Sequence, residues 1–164
     1  MEYPKFKYYR NPRLAVKFDE EPVICDCCKN PTHFYANSMY TTEDINAICP
    51  DCITSGKACE KFDGEFNTAI NFGNDEAYEQ LVTKTPPLST FQEIDWPHCH
   101  NDYCTYIGTC TEEDLENEDL MAELEETFDE DGYEFEEIQD MSPDYLLLYQ
   151  CEVCGKHHVK IDVD

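Results

Sequence analysis

The 164-residue sequence predicts an α+β fold made of two small lobes, and three observations support this class. Cysteines recur in pairs with two residues between them, short runs of β-prone residues lie beside these pairs, and helix-start signals follow some of them. A stretch with two prolines at 85–90 separates the pairs into two groups. We therefore expect an N-terminal lobe over residues 1–84 and an acidic C-terminal lobe over residues 85–164. Packing of both lobes as one domain is also compatible with the sequence.

The cysteine pairs predict metal binding in the N-terminal lobe. Six of the eleven cysteines form Cys-x-x-Cys steps that begin at Cys25, Cys49 and Cys151. Each step lets two thiolates converge on one ion from a tight turn, called a knuckle below, and two steps complete the tetrahedral shell of Zn²⁺. The first two steps are separated by twenty residues, a spacing typical of four-cysteine zinc sites. We predict a structural zinc site whose ligands are Cys25, Cys28, Cys49 and Cys52.

The third step predicts a second metal site in the C-terminal lobe. Cys151 and Cys154 need two further ligands, and Cys99 and Cys104 supply thiolates from the same lobe. We predict that these four cysteines bind a second Zn²⁺. The sequence leaves iron open as an alternative metal. Cys99 and Cys104 have supporting residues nearby in His98, His100 and Cys110. Three side chains remain open as substitute ligands: His98, His157 and Cys110.

The N-terminal lobe has the order of elements of a treble-clef zinc fold. After the first knuckle, β-prone residues on both sides of residues 36–38 predict a short hairpin. Proline is favoured at the first position of a helix, so Cys49-Pro50 predicts a helix that carries the second cysteine pair on its first turn. A knuckle, a hairpin and then such a helix predict a treble-clef-like lobe.

The sequence of the C-terminal lobe predicts a helix and a zinc-ribbon-like hairpin. Thr111 followed by three acidic residues is typical of a capped helix N-terminus. Residues 145–149 form a β-prone apolar run before the third knuckle, and apolar residues alternate with charged ones over 159–163. This pattern predicts two strands joined by the knuckle.

The charge of the chain is strongly acidic and restricts the class of partner. The sequence has 37 acidic and 11 basic residues, a net charge of −26, and residues 111–140 hold sixteen acids and no lysine or arginine. Nucleic acids are polyanions bound through Lys and Arg, so we expect no nucleic-acid binding. An acidic surface accelerates encounter with a positively charged molecule. We therefore expect a basic protein partner.

The absence of known sequence motifs leads to expectations about localisation and about enzyme activity. The sequence lacks the ~18 consecutive apolar residues of a membrane span and the apolar core of a signal peptide, so we expect a cytoplasmic protein without a membrane partner. Clustered cysteines in a reducing compartment bind metal more often than they form disulfides. The sequence has no H-E-x-x-H, phosphate-binding glycine loop or G-x-S-x-G, and a shell of four cysteines leaves no position for a reactive water. We expect no enzyme activity and no catalytic residues.

Several of these motifs resemble the CbrC-like proteins, a bacterial family named for a colicin-tolerance protein. The resemblance spans nearly the whole chain and is carried by the three cysteine steps in order, together with 4–6, 49–53, 61–63, Thr85-Pro86, His98-Cys99 and 154–157. It implies a cytoplasmic bacterial protein without established enzyme activity and with a link to toxin tolerance. The acidic residues 111–140 and His158 depart from the family pattern.

The function we expect from the sequence is therefore non-enzymatic binding. A zinc-stabilised protein with an acidic surface is suited to neutralise a basic protein such as a bacterial toxin, in a tolerance or immunity role. One alternative is a thiol-redox protein that uses Cys151 and Cys154. The other is a regulatory adaptor whose metal sites serve only as scaffolding.

Overall fold

The chain forms two compact units of mixed secondary structure. The computed structural model describes all 164 residues and divides them into Met1–Ser89 and Thr90–Asp164. Each unit contains both strands and helices, so the predicted α+β class is confirmed. The sequence-based boundary after residue 84 falls at the end of the last helix of the first unit.

The first unit begins with a 3₁₀ turn, Pro12–Leu14, followed by a two-stranded antiparallel sheet of β1 (Lys17–Ile24) and β2 (Pro31–Tyr35). The first cysteine knuckle lies in the loop between these strands. The register shifts along β1 between Phe18 and Val23. Pro22 lies in this irregular stretch, where a missing backbone N–H costs no ladder hydrogen bond.

The hairpin predicted around residues 36–38 is wrong. The β-prone residues before it belong to β2, which pairs with the earlier strand β1. Beyond β2, Ala36 forms an isolated antiparallel bridge with Ile48, next to the second cysteine pair. The partner is therefore long-range in sequence, and local β-propensity could not identify it.

Three helices complete the first unit: α1 (Pro50–Thr54), α2 (Lys57–Phe62) and α3 (Asp75–Lys84). Pro50 begins α1, as predicted from the sequence. Gly56, with a φ of +79°, separates α1 from α2. Helix α3 was not anticipated, although Asn74 caps it by accepting a hydrogen bond from the backbone N–H of Ala77.

The second unit contains two antiparallel sheets. The smaller sheet pairs β3 (His98–Cys99) with β4 (Asp102–Tyr103). The larger sheet has the order β5 (Thr105–Thr109), β6 (Leu146–Gln150) and β7 (His157–Ile161). The pair β6–β7 is the hairpin predicted from the sequence, with the third cysteine knuckle in its turn.

Two helices follow β5: α4 (Glu112–Glu116) and α5 (Glu118–Thr127). Thr111 caps α4 in a reciprocal pair of hydrogen bonds with Asp114, as its sequence pattern predicted. Asn117 ends α4 and caps α5, so the predicted helix is two short helices. Two further 3₁₀ segments span Phe135–Asp140 and Pro143–Tyr145.

The hydrophobic core of the second unit joins α5, the segment around residue 138 and the three-stranded sheet. Its buried members are Cys110, Met121, Leu124, Ile138, Leu146, Leu148, Val159 and Ile161. In neither unit is any helix long and apolar enough to cross a membrane.

Candidate metal centres

The first cluster brings together the four cysteines predicted from the sequence. The Sγ atoms of Cys25, Cys28, Cys49 and Cys52 all lie within 4.8 Å of one another, and those of Cys28 and Cys49 are 3.8 Å apart. Four sulfurs at the Zn–S bond length lie about 3.8 Å apart at the corners of a tetrahedron. The donor set and its spacing therefore fit a Zn²⁺ ion held by these four thiolates.

Local backbone geometry presents these sulfurs. In the first knuckle the backbone N–H of Lys29 donates to the carbonyl oxygen of Cys25 at 2.9 Å, which closes the turn. The second pair is presented by α1, with Cys49 immediately before the helix and Cys52 on its first turn. The backbone N–H of Cys49 also donates to Cys25 Sγ at 3.3 Å, so one knuckle stabilises a sulfur of the other.

The thiols of this cluster differ in acidity. A hydrogen bond from the backbone of Asn30 lowers the pKa of Cys28 to about 7. Burial raises the pKa of Cys49 to about 11 and also raises the pKa of Cys52. Without a metal the Cys49 and Cys52 thiols hold their protons at neutral pH, so binding of Zn²⁺ displaces these protons.

The second cluster consists of three cysteines and one histidine: Cys99, His100, Cys151 and Cys154. Their ligand atoms lie within 4.8 Å of one another. Cys99 Sγ is 3.7 Å from Cys154 Sγ and 3.0 Å from His100 Nδ1, and Cys151 Sγ is 3.8 Å from His100 Nδ1. Three thiolates and one imidazole are an established zinc ligand set, so this cluster also fits Zn²⁺.

Two turns build the second cluster. The turn between β3 and β4 contains His100 and Asn101, both with positive φ, as in the two-residue turns that join tightly paired strands. This turn places the His100 imidazole next to Cys99. The other turn is the β6–β7 knuckle, where Gly155 N–H donates to the Cys151 carbonyl oxygen at 2.9 Å.

The cysteine pKa values in the second cluster move in opposite directions. Burial disfavours the thiolate of Cys151, but hydrogen bonds from the backbone of Cys154 and Val153 outweigh it and lower its pKa to about 7. Burial raises the pKa of Cys99 to about 12. Of these two thiols, Cys151 is therefore the more easily deprotonated when no metal is bound.

Cys104, predicted as a ligand of the second site, does not belong to this cluster. It is fully buried, burial raises the pKa of its thiol, and its carbonyl oxygen accepts a hydrogen bond from Trp96 Nε1 at 2.7 Å. His100 stands in its place. Sequence reasoning named His100 only as a supporting residue and not as a ligand. Four Cys and His residues crowd residues 98–104, and only the turn geometry selects Cys99 and His100 from them.

The predicted substitute ligands also lie outside the cluster. His98 is exposed and meets the edge of the Tyr103 ring, and His157 Nδ1 lies 3.4 Å from a carboxylate oxygen of Glu123. Cys110 is a member of the hydrophobic core. All eleven cysteines are free thiols, and the four outside both clusters are Cys27, Cys59, Cys104 and Cys110.

The geometry defines a class: a small α+β protein with two clusters of four ligands, each compatible with a metal ion such as Zn²⁺. The chain belongs to UPF0167, an uncharacterised protein family whose model matches residues 3–163. It is 26% identical to a UPF0167 protein of Mycobacterium bovis over 94% of this chain and 90% of the relative. It is 24% identical to one of Pseudomonas aeruginosa over 97% of this chain and 96% of the relative. No solved structure matches the chain.

Proposed function

We propose that this protein is a non-enzymatic zinc-binding protein that captures a basic protein through its acidic residues 111–140. The observation that supports this proposal is that the sixteen acids of that segment differ in burial and in their contacts. Three are half-buried, and the other thirteen are exposed. The half-buried acids are used within the unit, and so are two exposed ones, since Glu126 pairs with Lys156 at 3.2 Å and Glu137 accepts from the backbone N–H of Glu134 at 2.6 Å. The other exposed acids form a concentrated negative surface.

The contacts of the three half-buried acids are specific. Asp114 takes part in the cap of α4. Glu123 accepts a hydrogen bond from the backbone N–H of His157 at 2.6 Å, and Glu130 pairs with Lys160 at 2.9 Å. Because these contacts use only a minority of the sixteen acids, most of the exposed acids exceed what the fold uses. Repulsion among them costs stability, which favours a role in binding.

The metal centres support a non-enzymatic role. Four protein ligands fill the tetrahedral shell of Zn²⁺ and leave no position for a reacting water. The bound ion would then hold the knuckles in place. The resemblance to CbrC-like proteins suggests a toxin-tolerance role, and a nuclease toxin is a suitable basic partner because its surface is built to bind phosphates.

The experiment measures the association rate with the purified basic catalytic domain of a nuclease toxin. We expect that changing Glu112, Glu113, Glu116 and Glu118 to glutamine slows association roughly tenfold at low salt, because electrostatic complementarity acts mainly on the association rate. All four side chains are exposed. The matched control has the same charge change in the first unit, at four other exposed positions: Glu20, Glu21, Glu43 and Glu60.

The two variants distinguish an effect of the docking surface on the association rate from an effect of the net charge. A slower rate in the first variant alone supports the proposal. Equal slowing in both variants would assign the effect to total charge, and no binding of the toxin domain by the unmodified protein would reject this partner class.

A thiol-redox role is the second candidate. It is favoured by the lowered pKa of Cys151 in a Cys-x-x-Cys step, which is a property of redox-active cysteines. In this role Cys151 and Cys154 would react with alkylating reagents in the metal-loaded protein, whereas zinc-bound thiolates are protected. The alkylation experiment in the Discussion distinguishes the two roles.

A further inference from the structure

The two metal centres differ in their access to solvent. Three of the four ligands of the first centre are buried, and only Cys28 is exposed. In the second centre only Cys151 is buried, while His100 and Cys154 are exposed and Cys99 is half-buried. A chelator or a competing zinc-binding protein can therefore reach the second centre more easily than the first.

The first centre is braced by hydrogen bonds that do not involve its ligand atoms. The Asp26 carboxylate accepts from the backbone N–H groups of Asn46 and Ala47 at 2.7 and 3.0 Å, and Asp26 N–H donates to the Ala47 carbonyl oxygen at 2.8 Å. Lys61 Nζ donates to the carbonyl oxygens of Asp26 and Cys27 at 3.3 and 2.7 Å. These contacts hold the first knuckle against the chain before Cys49 and against α2, so the site is preorganised.

The second centre joins two elements that belong to different sheets. Cys99 and His100 lie on the β3–β4 hairpin, whereas Cys151 and Cys154 lie in the turn of β6–β7. The contacts made by the ligand sulfurs run directly between these elements, including Cys99 Sγ to Cys154 Sγ at 3.7 Å and Cys151 Sγ to the Cys99 carbonyl oxygen at 3.8 Å. An ion at this centre would link the small hairpin to the larger sheet.

Most metal ligands of the second unit lie outside its buried core, and of the four only Cys151 is a buried core residue. Its buried cluster joins α5 to β6 and β7 and includes no residue of the second centre. In the first unit, by contrast, Cys25, Cys49 and Cys52 are themselves buried core residues. Loss of an ion therefore frees three buried core residues in the first unit but only one, Cys151, in the second.

From these differences we propose that the second centre is an exchangeable zinc site, which releases and rebinds Zn²⁺ by opening of the β3–β4 hairpin while the core of the unit stays folded. The inference rests on the zinc binding proposed above and adds regulation by zinc supply. Thiolate and imidazole ligands suit Zn²⁺ over Mg²⁺ or Ca²⁺, which prefer oxygen ligands. The first centre keeps its ion and remains structural.

Trp96, the only tryptophan, reports on this opening. Its indole Nε1 donates to the Cys104 carbonyl oxygen directly after β4, and its ring packs against Tyr149 on β6 with centroids 5.3 Å apart. Movement of the hairpin away from β6 changes this environment. Fluorescence of Trp96 should therefore follow occupancy of the second centre.

The test challenges the full chain, loaded with two equivalents of Zn²⁺, with the chromophoric chelator 4-(2-pyridylazo)resorcinol. We expect two phases of one equivalent each, at least tenfold apart in rate, with the Trp96 fluorescence change confined to the fast phase. His100→Ala should lose the fast phase and keep the slow one, and the methyl NMR signals of Leu124, Ile138 and Ile161 should remain those of a folded core. As a matched control, His98→Ala changes an exposed histidine on the same hairpin and should keep both phases.

Each result that would contradict the expectation leads to a different conclusion. Release of both equivalents at one rate, or fluorescence change in the slow phase, overturns the exchangeable site while zinc binding stands. Loss of the folded methyl signals in His100→Ala also overturns it, because the ion would then be required by the core. Failure of the loaded chain to hold two equivalents rejects the zinc binding on which the inference rests. No toxin domain is present, so none of these results depends on the proposed partner.

Discussion

Glu123 Oε1 accepts a hydrogen bond from the backbone N–H of His157 at 2.6 Å, which ties α5 to the first residue of β7. This carboxylate is half-buried, unlike most acids of its segment. The acidic segment 111–140 therefore contains acids that stabilise the fold and acids that only face solvent. Substitutions of single acids can distinguish the two groups by their effect on stability.

Glu123→Ala should lower the free energy of unfolding by about 1–2 kcal/mol, because it leaves the His157 N–H without its acceptor. Glu125→Ala is the control, since Glu125 is an exposed acid on the same helix. It should change stability by less than about 0.5 kcal/mol. Urea unfolding followed by circular dichroism measures both. Equal stability of the two variants would show that the Glu123 contact contributes nothing.

Elemental analysis of protein purified without chelator should give two equivalents of zinc, since both ligand sets are complete. His100→Ala should reduce this value to one, whereas Cys104→Ala should keep both equivalents. The opposite pattern would restore the four-cysteine ligand set expected from the sequence. A rust-coloured protein rich in iron would show that the metal is misassigned.

Cys52→Ser should abolish zinc binding at the first centre, because a hydroxyl is a poor zinc ligand. It should also unfold the first unit, because so small a unit buries too little apolar surface to fold without the ion. Cys59→Ser provides a control, since Cys59 is a buried cysteine of the same unit outside the cluster. It should keep its zinc. Melting curves and metal content distinguish the two variants, and an unchanged Cys52→Ser protein would contradict the assignment.

Alkylation by iodoacetamide at neutral pH should label Cys27 alone in the metal-loaded protein, with excess Zn²⁺ in solution to keep the exchangeable second centre filled. The other three cysteines outside the clusters are buried, and burial raises the pKa of Cys59 and of Cys110 to about 12. Cys27 is half-exposed. Peptide mass spectrometry identifies the labelled site. Rapid labelling of Cys151 or Cys154 would favour the thiol-redox role instead.

The protein should bind no DNA or RNA at moderate salt. Its net charge of −26 leaves too few cations to displace the counterions of a polyanion. A gel-shift assay measures this directly. A salt-sensitive complex of sub-micromolar affinity would contradict the expectation and direct attention to the basic residues near the N-terminus.

The sequence predicted which four cysteines come together in the first cluster because the information for it is local. Each Cys-x-x-Cys step dictates its own turn, and Pro50 marks the start of the helix that presents the second pair. The second cluster was predicted only in part. His100 adjoins Cys99 in sequence, but its selection over Cys104 depends on two consecutive residues with positive φ, which the sequence does not specify.

Strand pairing and weakly amphipathic helices were the least predictable parts of the fold. The partner of β2 is β1, although a nearer β-prone run at 39–40 was available. Helix α3 has a good cap at Asn74, but its buried positions are only Ala77, Leu81 and Val82. So few apolar residues in a polar segment give little periodic signal.

The irregular strand β1 has a consequence for how this protein behaves at high concentration. Its sheet has only two strands, so backbone groups along its outer edge have no neighbouring strand to pair with. Such an edge is a template on which another chain can add a strand and begin an aggregate. The proline at 22 cannot donate to an added strand, and the acids at 19–21 would lie against the same acids of a second molecule. Pro22 and these acids thus oppose fibrous self-association through this edge.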